Sequence, residues 1–270
     1  AEIINQPGSP RAVYEPISYI LSLGGKRIRP AMVLAAYKLY KEEYTPEVMQ
    51  VAQAVEMFHN FTLLHDDIMD NDRTRRHRAT VWDVFGIGEG IVVGDAMHAL
   101  AFEILLDDSR TPHGATATRR LAKATSAMIA GQAQDVALDR GATASLAECI
   151  AMETNKTGAL LAQSVAIGAV LGGGDDVVVD ALEDFGIALG IGFQAVDDVL
   201  GIWGESATTG KPVGNDSASD KSTYVALHGI DGAYREAKKH TGAALEAAEA
   251  LGGNNAFLLD LIGDLEHRIN

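Results

Sequence analysis

At 270 residues and a formal net charge of −15, the chain is long enough to bury a substantial apolar core. It is too acidic for a general nucleic-acid binder, which spreads Lys and Arg over much of one surface. Cys149 is the only cysteine, which excludes an intrachain disulfide and a thiolate-based zinc site and fits a reducing, cytoplasmic setting.

From Ala1 to Pro10 no basic stretch precedes an apolar run, so no retained secretory signal is expected. Beyond it, apolar residues recur at three- and four-residue intervals, Ala and Leu are abundant, and strict alternation is rare, which predicts an all-α fold read as one domain over residues 1–270. Breaks are expected at Gly24-Gly25, around Thr45-Pro46, from Gly86 to Gly90, from Thr111 to Gly114 and from Gly172 to Gly174. A long helix is predicted from Pro46 to Asp70, with Val48, Val51, Ala52, Val55 and Phe58 along one stripe. The uncharged stretch from Thr157 to Gly174 reads as a buried helix, because it barely reaches spanning length and contains Gln163 and Ser164, so no integral membrane association is expected. A second long helix runs from Asp176 to Trp203. Its Gly186, Gly190 and Gly192 stand where Ala would favour a helix by up to ~1 kcal/mol each, and close packing of a neighbouring helix would explain them. Gly204 to Ser222 reads as a loop, and helical patterns then resume to the C-terminus.

Near the end of the first long helix, Asp66 and Asp70 are one turn apart and share a face that can hold divalent cations, with Asp67 and Asp72 adding charge. Two carboxylates about 5.5 Å apart repel by roughly 3 kcal/mol at an effective dielectric of 20, so burial would demand a cation, whereas a solvated acidic helix end would not. Gln194, Asp197 and Asp198 form a second acidic face. Hard oxygen ligands favour Mg²⁺, which keeps several waters and is completed by substrate phosphates. Lys26 with Arg29, Arg75 with Arg76, Lys156, Lys211 and Lys221 could supply cations to such an anion. Gly86-Ile87-Gly88-Glu89-Gly90 lacks the Lys-Ser/Thr of a nucleotide phosphate loop. His59, His65 and His77 do not form a zinc-type HExxH pattern. The chemistry left is metal-assisted departure of diphosphate.

These residues resemble the trans-isoprenyl diphosphate synthases, or polyprenyl synthetases, in order along nearly the whole chain. Gly24-Gly25-Lys26-Arg27-Ile28-Arg29-Pro30, with His59, looks like the isopentenyl diphosphate motif. Asp66-Asp67-Ile68-Met69-Asp70 followed by Arg75-Arg76 looks like the first aspartate-rich motif and its arginine pair. Gly131-Gln132-Ala133-Gln134-Asp135 and Lys156-Thr157 look like two further landmarks. Phe193-Gln194-Ala195-Val196-Asp197-Asp198 looks like the second aspartate-rich motif, and Gly210-Lys211 with Lys221-Ser222-Thr223 resembles the lysine-bearing loop after it.

The resemblance implies a bundle of long antiparallel helices around a deep apolar cavity, usually as a homodimer. It also implies an enzyme that condenses isopentenyl diphosphate with an allylic diphosphate of five to fifteen carbons. Magnesium, three ions by resemblance, would be held by Asp66, Asp70 and Asp197, with Asp67 and Asp198 beside them. Lys156, Thr157 and Gln194 would flank the allylic cation. Arg75 would contact substrate, and Arg76, Lys156, Lys211 and Lys221 would hold the departing diphosphate, while Lys26, Arg29 and His59 would bind the second substrate. Gly201 stands where the second motif normally ends in a third aspartate, His77 where the family often has Gly, and Ser217 where Leu commonly follows the loop aspartate, here Asp216. Phe61, five residues before Asp66, and the smaller Thr62 imply a twenty-carbon product, geranylgeranyl diphosphate, with farnesyl diphosphate next. A terpene cyclase on the same fold would not need Lys26, Arg29 and His59, and a regulatory subunit would not need Arg75-Arg76 together with Asp66 and Asp70.

Overall fold

The computed structural model describes residues 11–140, 143–203, 224–251 and 254–268. In chain order it runs α1 (Arg11–Ser22), α2 (Ile28–Lys38), α3 (Pro46–Met69), a hairpin of β1 (Thr74–Arg75) and β2 (Arg78–Ala79), α4 (Val81–Phe85), α5 (Ile87–Leu105), α6 (Gly114–Asp139) and α7 (Leu146–Glu153). A π-helical turn (Thr154–Gly158), α8 (Ala159–Gly172), α9 (Asp176–Trp203), α10 (Tyr224–Ala250) and α11 (Ala256–His267) follow. The fold is all-α; the hairpin pairs only Thr74 with Ala79 and Arg75 with Arg78.

Local signals set the long helices. Thr45 caps α3 by accepting a hydrogen bond from the Val48 amide at 3.3 Å, and Pro46 fills the first position, where its missing N–H costs nothing. Ser145 and Glu148 form a reciprocal capping box at the start of α7. The stripe of α3 (Val51, Val55, Phe58) packs on Val93 and Met97 of α5 and Leu121 of α6. A second apolar cluster joins Phe185, Leu189 and Val196 of α9 to Val165 of α8 and to Ala233 and Ala237 of α10. Between the two clusters, α8 is buried nearly along its whole length, including Gln163 and Ser164. Among the described residues no helix is long and apolar enough to cross a membrane.

The glycines of α9 sit at close helix contacts, as the sequence leads one to expect. A methyl group at Gly190 would lie 2.6 Å from Gly158 Cα, one at Gly186 would overlap the Ala162 backbone, and one at Gly192 would meet Thr241 at 3.2 Å. This brings α9 against the start of α8 and the π-helical turn. Gly190→Leu is therefore expected to cost about 3 kcal/mol or more in urea unfolding. Gly242→Ala, with open space around it in α10, should gain up to ~1 kcal/mol. Equal effects would refute the packing account.

Two boundaries differ from expectation. Gly86, at φ +107°, interrupts the chain, but Gly88 and Gly90 lie inside α5. A methyl group at Gly90 would meet Ile68 Cδ1 at 2.8 Å, so this glycine serves the contact of α5 with α3 and does not break the helix. Thr157 and Gly158 belong to the π-helical turn, so α8 begins at Ala159.

Candidate active site

The π-helical turn ties the acidic end of α3 to α6. Lys156 on this turn lies 2.5 Å from Asp135 of α6 and 3.5 Å from Asp66 of α3. Gly131, one turn before Asp135, leaves room for the backbone at Lys156 to press against α6. Burial alone would discharge this lysine, but Asp66, Asp135 and Asp70 outweigh it and push its pKa above the usual range. Asp66 Oδ1 is buried and accepts no hydrogen bond. It is an anionic oxygen facing a fixed cation, with room in its coordination for a further positive partner.

The two neighbouring aspartates of α3 part company. Arg75 holds Asp67 through Nε at 2.7 Å and a terminal nitrogen at 2.5 Å, and Asp67 is almost wholly buried. Burial works against the Arg75 charge, but the hydrogen bond and the charges of Asp67, Asp66 and Asp72 raise its pKa overall. The Trp82 indole N–H closes the segment by donating to the carbonyls of Asp67 at 2.9 Å and Asp72 at 2.8 Å. Asp67 is thus already engaged by a guanidinium, whereas Asp66 is not.

The arginine pair is likewise split by its hairpin. Arg76 and His77 form the turn with φ of +53° and +63°, a left-handed conformation that glycine adopts at least cost. That accounts physically for the glycine the family often carries at the second position. The turn sends Arg76 away from Arg75 to donate to the Gly24 carbonyl. A methyl group on Gly25 would collide with its guanidinium at 2.6 Å.

Around Arg76 lies a cationic pocket. Arg29 donates to His59 Nε2 at 3.0 Å; a guanidinium only donates, so Nε2 accepts and the ring proton sits on Nδ1. Burial, then Arg29 and the neighbouring arginines, holds the His59 pKa well below its ordinary value, and the ring is neutral. Burial lowers the Arg29 pKa to about 10, partly offset by Glu56. The Arg76 pKa is lowered by burial and then by Arg75 and Arg27. Glu56 pairs with Arg27 and accepts from Asn60 at 2.8 Å. Arg29 Nε and His59 Nδ1 are left as buried donors without acceptors. Lys26 is exposed at the edge of this pocket.

On α9, Gln194 donates to Asp198 at 3.1 Å, and Asp198 is buried. Asp197 accepts from Arg268, just beyond α11, at 2.8 Å, and this arginine lies 5.6 Å from the centre of the Phe193 ring. Thr157 donates to Glu153 at 3.2 Å. Burial, then the charge of Asp198, raises the Glu153 pKa to about 8, against the pull of Lys156. Gly201 lies in α9 one turn beyond Asp197, while Lys211, Lys221, Asp216 and Ser217 fall outside the described residues. Spacing does not single out Glu56, Glu153 or Arg268; Glu153 stands one helical turn before Thr157, the only pattern that could have pointed to it.

Phe61 stands partly buried on α3 with its ring 4.8 Å from Phe58 and 4.9 Å from His98, while Thr62 hydrogen-bonds back to the His59 carbonyl at 2.8 Å. The donor set at the acidic ends is all oxygen, which fits Mg²⁺. Among the described residues no three His, Cys, Asp or Glu side chains gather as a metal group, so water and phosphate oxygens would complete any coordination sphere, as Mg²⁺ ordinarily requires.

The sequence model of the family described as Polyprenyl synthetase matches residues 10–255. The chain is 45% identical over 209 residues to a (2E,6E)-farnesyl diphosphate synthase of Mycobacterium tuberculosis, covering 76% of this chain but only 58% of that relative. It is 37% identical over 270 residues to a farnesyl diphosphate synthase of Geobacillus stearothermophilus, covering 96% and 90% of the two chains. The fold superposes on a geranylgeranyl pyrophosphate synthetase from the archaeon Geoglobus acetivorans with a TM-score of 0.85 at 31% identity, covering 98% and 92%. The ordered motifs, the helical architecture and these likenesses place the chain in the polyprenyl synthetase family.

Proposed function

We propose that the protein is a magnesium-dependent trans-prenyltransferase that joins isopentenyl diphosphate to an allylic diphosphate. The observation that carries this reading is the hairpin that points Arg75 towards the acidic end of α3 and Arg76 into the cationic pocket. Two adjacent sites of that kind suit two diphosphates, one bound through metal and one bound directly.

Asp66, Asp70 and Asp197 would hold Mg²⁺. When bound, it would neutralise the allylic diphosphate and ease its departure. Lys156, fixed by Asp135 and Asp66, would stay charged beside the leaving group, joined by Arg75, Lys211 and Lys221. Asp67 serves in this reading to position Arg75, and Asp198 to position Gln194. A metal on Asp197 would compete with Arg268 for that carboxylate. Thr157 and Gln194 would turn their oxygen dipoles to the allylic cation. Arg29 Nε, His59 Nδ1, Lys26 and Arg76 would bind the second diphosphate, setting its double bond to attack. Proton loss then restores an alkene. The dominant contribution is prearranged charge complementary to charge separation.

We read the product as geranylgeranyl diphosphate, because Phe61 stands where growth along α3 would be checked, with farnesyl diphosphate as the second reading from the names of the two farnesyl synthases. A cytoplasmic homodimer, with three Mg²⁺ per site, completes the proposal. Purified protein given Mg²⁺, labelled isopentenyl diphosphate and separate five-, ten- and fifteen-carbon allylic primers should yield linear alcohols after dephosphorylation. Hydrocarbon from an allylic diphosphate alone would support cyclisation instead, and no turnover with any primer would favour a regulatory subunit.

A further inference from the structure

We infer that Glu153 orients Thr157, taking up the proton of its hydroxyl so that the hydroxyl oxygen is left to face the developing allylic cation. The inference rests on the prenyltransferase reading and adds to it a positioning residue that no motif marks. The π-helical turn carries two threonines, and they are used differently. Thr154 makes the back-bond ordinary for a helical threonine, donating to the Ile150 carbonyl at 2.7 Å. Thr157 donates to the side chain of Glu153, at Oε2, over 3.2 Å. A hydroxyl has one proton and two lone pairs. With the proton committed to Glu153, the lone pairs point away from it. Glu153 can fix this rotor because it is itself held, as the last residue of α7 and buried, whereas Thr157 is only partly buried.

Gln194 is arranged in the same way from α9. The close approach of Gly190 to Gly158, the residue after Thr157, fixes α9 against the π-helical turn, and Gln194 lies one turn beyond Gly190. Its amide nitrogen donates to the buried Asp198 at 3.1 Å, which leaves the amide oxygen on the other side. Asp198 is near enough for its charge to act on Glu153. Two buried carboxyl groups, one behind each polar side chain, thus take up hydrogens of Thr157 and Gln194 and leave their oxygens to be presented. A dipole held in this way stabilises a cation without reorganising when the charge appears, which is the form of electrostatic help that is worth most in a reaction step.

The test is a double-mutant cycle on kcat at neutral pH, with isopentenyl diphosphate and an allylic primer both saturating. Glu153→Leu keeps the bulk of the side chain and removes the acceptor. Its kcat should fall about tenfold, short of the hundredfold or more that follows loss of an oriented dipole itself. KM for both substrates should stay within about twofold, since Glu153 lies in neither proposed diphosphate site. Glu153→Gln restores an acceptor oxygen and, because the wild-type carboxyl already holds its proton at neutral pH, alters no charge; its kcat should return to within about twofold of wild type. Thr157→Val should lower kcat by itself. In that background Glu153→Leu should have no further effect, because a residue acting through the hydroxyl has nothing left to orient. A merely structural glutamate would cost the same factor in both backgrounds, and that result overturns the inference. So does Thr157→Val or Glu153→Leu at wild-type kcat, or Glu153→Gln as slow as Glu153→Leu. Where Glu153→Leu does not fold, Glu153→Ala takes its place in both backgrounds under the same criteria. Absence of turnover in the wild type would instead reject the prenyltransferase reading, and the inference with it.

Discussion

Asp66→Asn should lower turnover by about a thousandfold, or ~4 kcal/mol of lost transition-state stabilisation, with little change in thermal stability. The substitution keeps the shape of the side chain and removes only the charge. The oxygen concerned accepts no hydrogen bond in the folded chain, and Lys156 keeps its closer partner Asp135 at 2.5 Å, so folding has little at stake. Asp67→Asn should behave in the opposite way. It strands the buried Arg75 without its carboxylate, and an uncompensated buried charge costs about 3–5 kcal/mol, which in a chain of this size lowers the melting midpoint by roughly 10 °C. Measuring kcat and the melting midpoint for both variants separates two aspartates that are neighbours in sequence. Asp66→Asn within tenfold of wild-type turnover, or Asp67→Asn with an unchanged midpoint, would reverse the roles assigned to them.

That contrast marks how far the sequence could be read. The helix carrying Asp66 and Asp70 was legible because its apolar stripe, its Thr45-Pro46 start and its acidic end are all local, and local patterns survive without knowledge of the fold. The glycines of α9 were legible for a related reason: a residue that weakens a helix needs a compensating contact, and Gly158 and Ala162 supply it. The same logic misplaced Gly88 and Gly90, which look like a break but lie inside α5, Gly90 at its contact with α3. The split of Arg75 from Arg76 was not legible, since adjacency suggests a shared target and only the positive φ at Arg76 and His77 parts them. No periodicity marks a π-helical turn, so the bridge that Lys156 makes between α3 and α6 appears only in three dimensions. The pairing of Asp197 with Arg268 spans 71 residues, and charge patterning within either helix carries no trace of it.

Glu153→Gln should make the protein more stable at pH 8 by several kcal/mol while leaving stability near pH 4.5 almost unchanged. In the folded protein Glu153 holds its proton up to about pH 8, because burial and the nearby Asp198 disfavour its charge; an unfolded chain releases that proton near the ordinary carboxylate value. Above that value the unfolded state therefore binds fewer protons than the folded state, and stability falls as pH rises. The contribution is fully present below the unfolded pKa and is lost progressively as pH rises through the folded one, at a limiting slope of about 1.4 kcal/mol per pH unit. Glutamine has no proton to lose, and its carbonyl can still accept from Thr157, so the variant should lack this slope. Urea unfolding of both proteins from pH 5 to 8, with chelator present so that metal binding does not enter, reads the difference directly; other titrating groups cancel between the two curves. Parallel curves would mean that Glu153 is ionised in the folded protein. A slope confined to the wild type would identify Glu153 as a cost in stability that the chain bears one turn from Thr157, beside the residues proposed to meet the allylic cation.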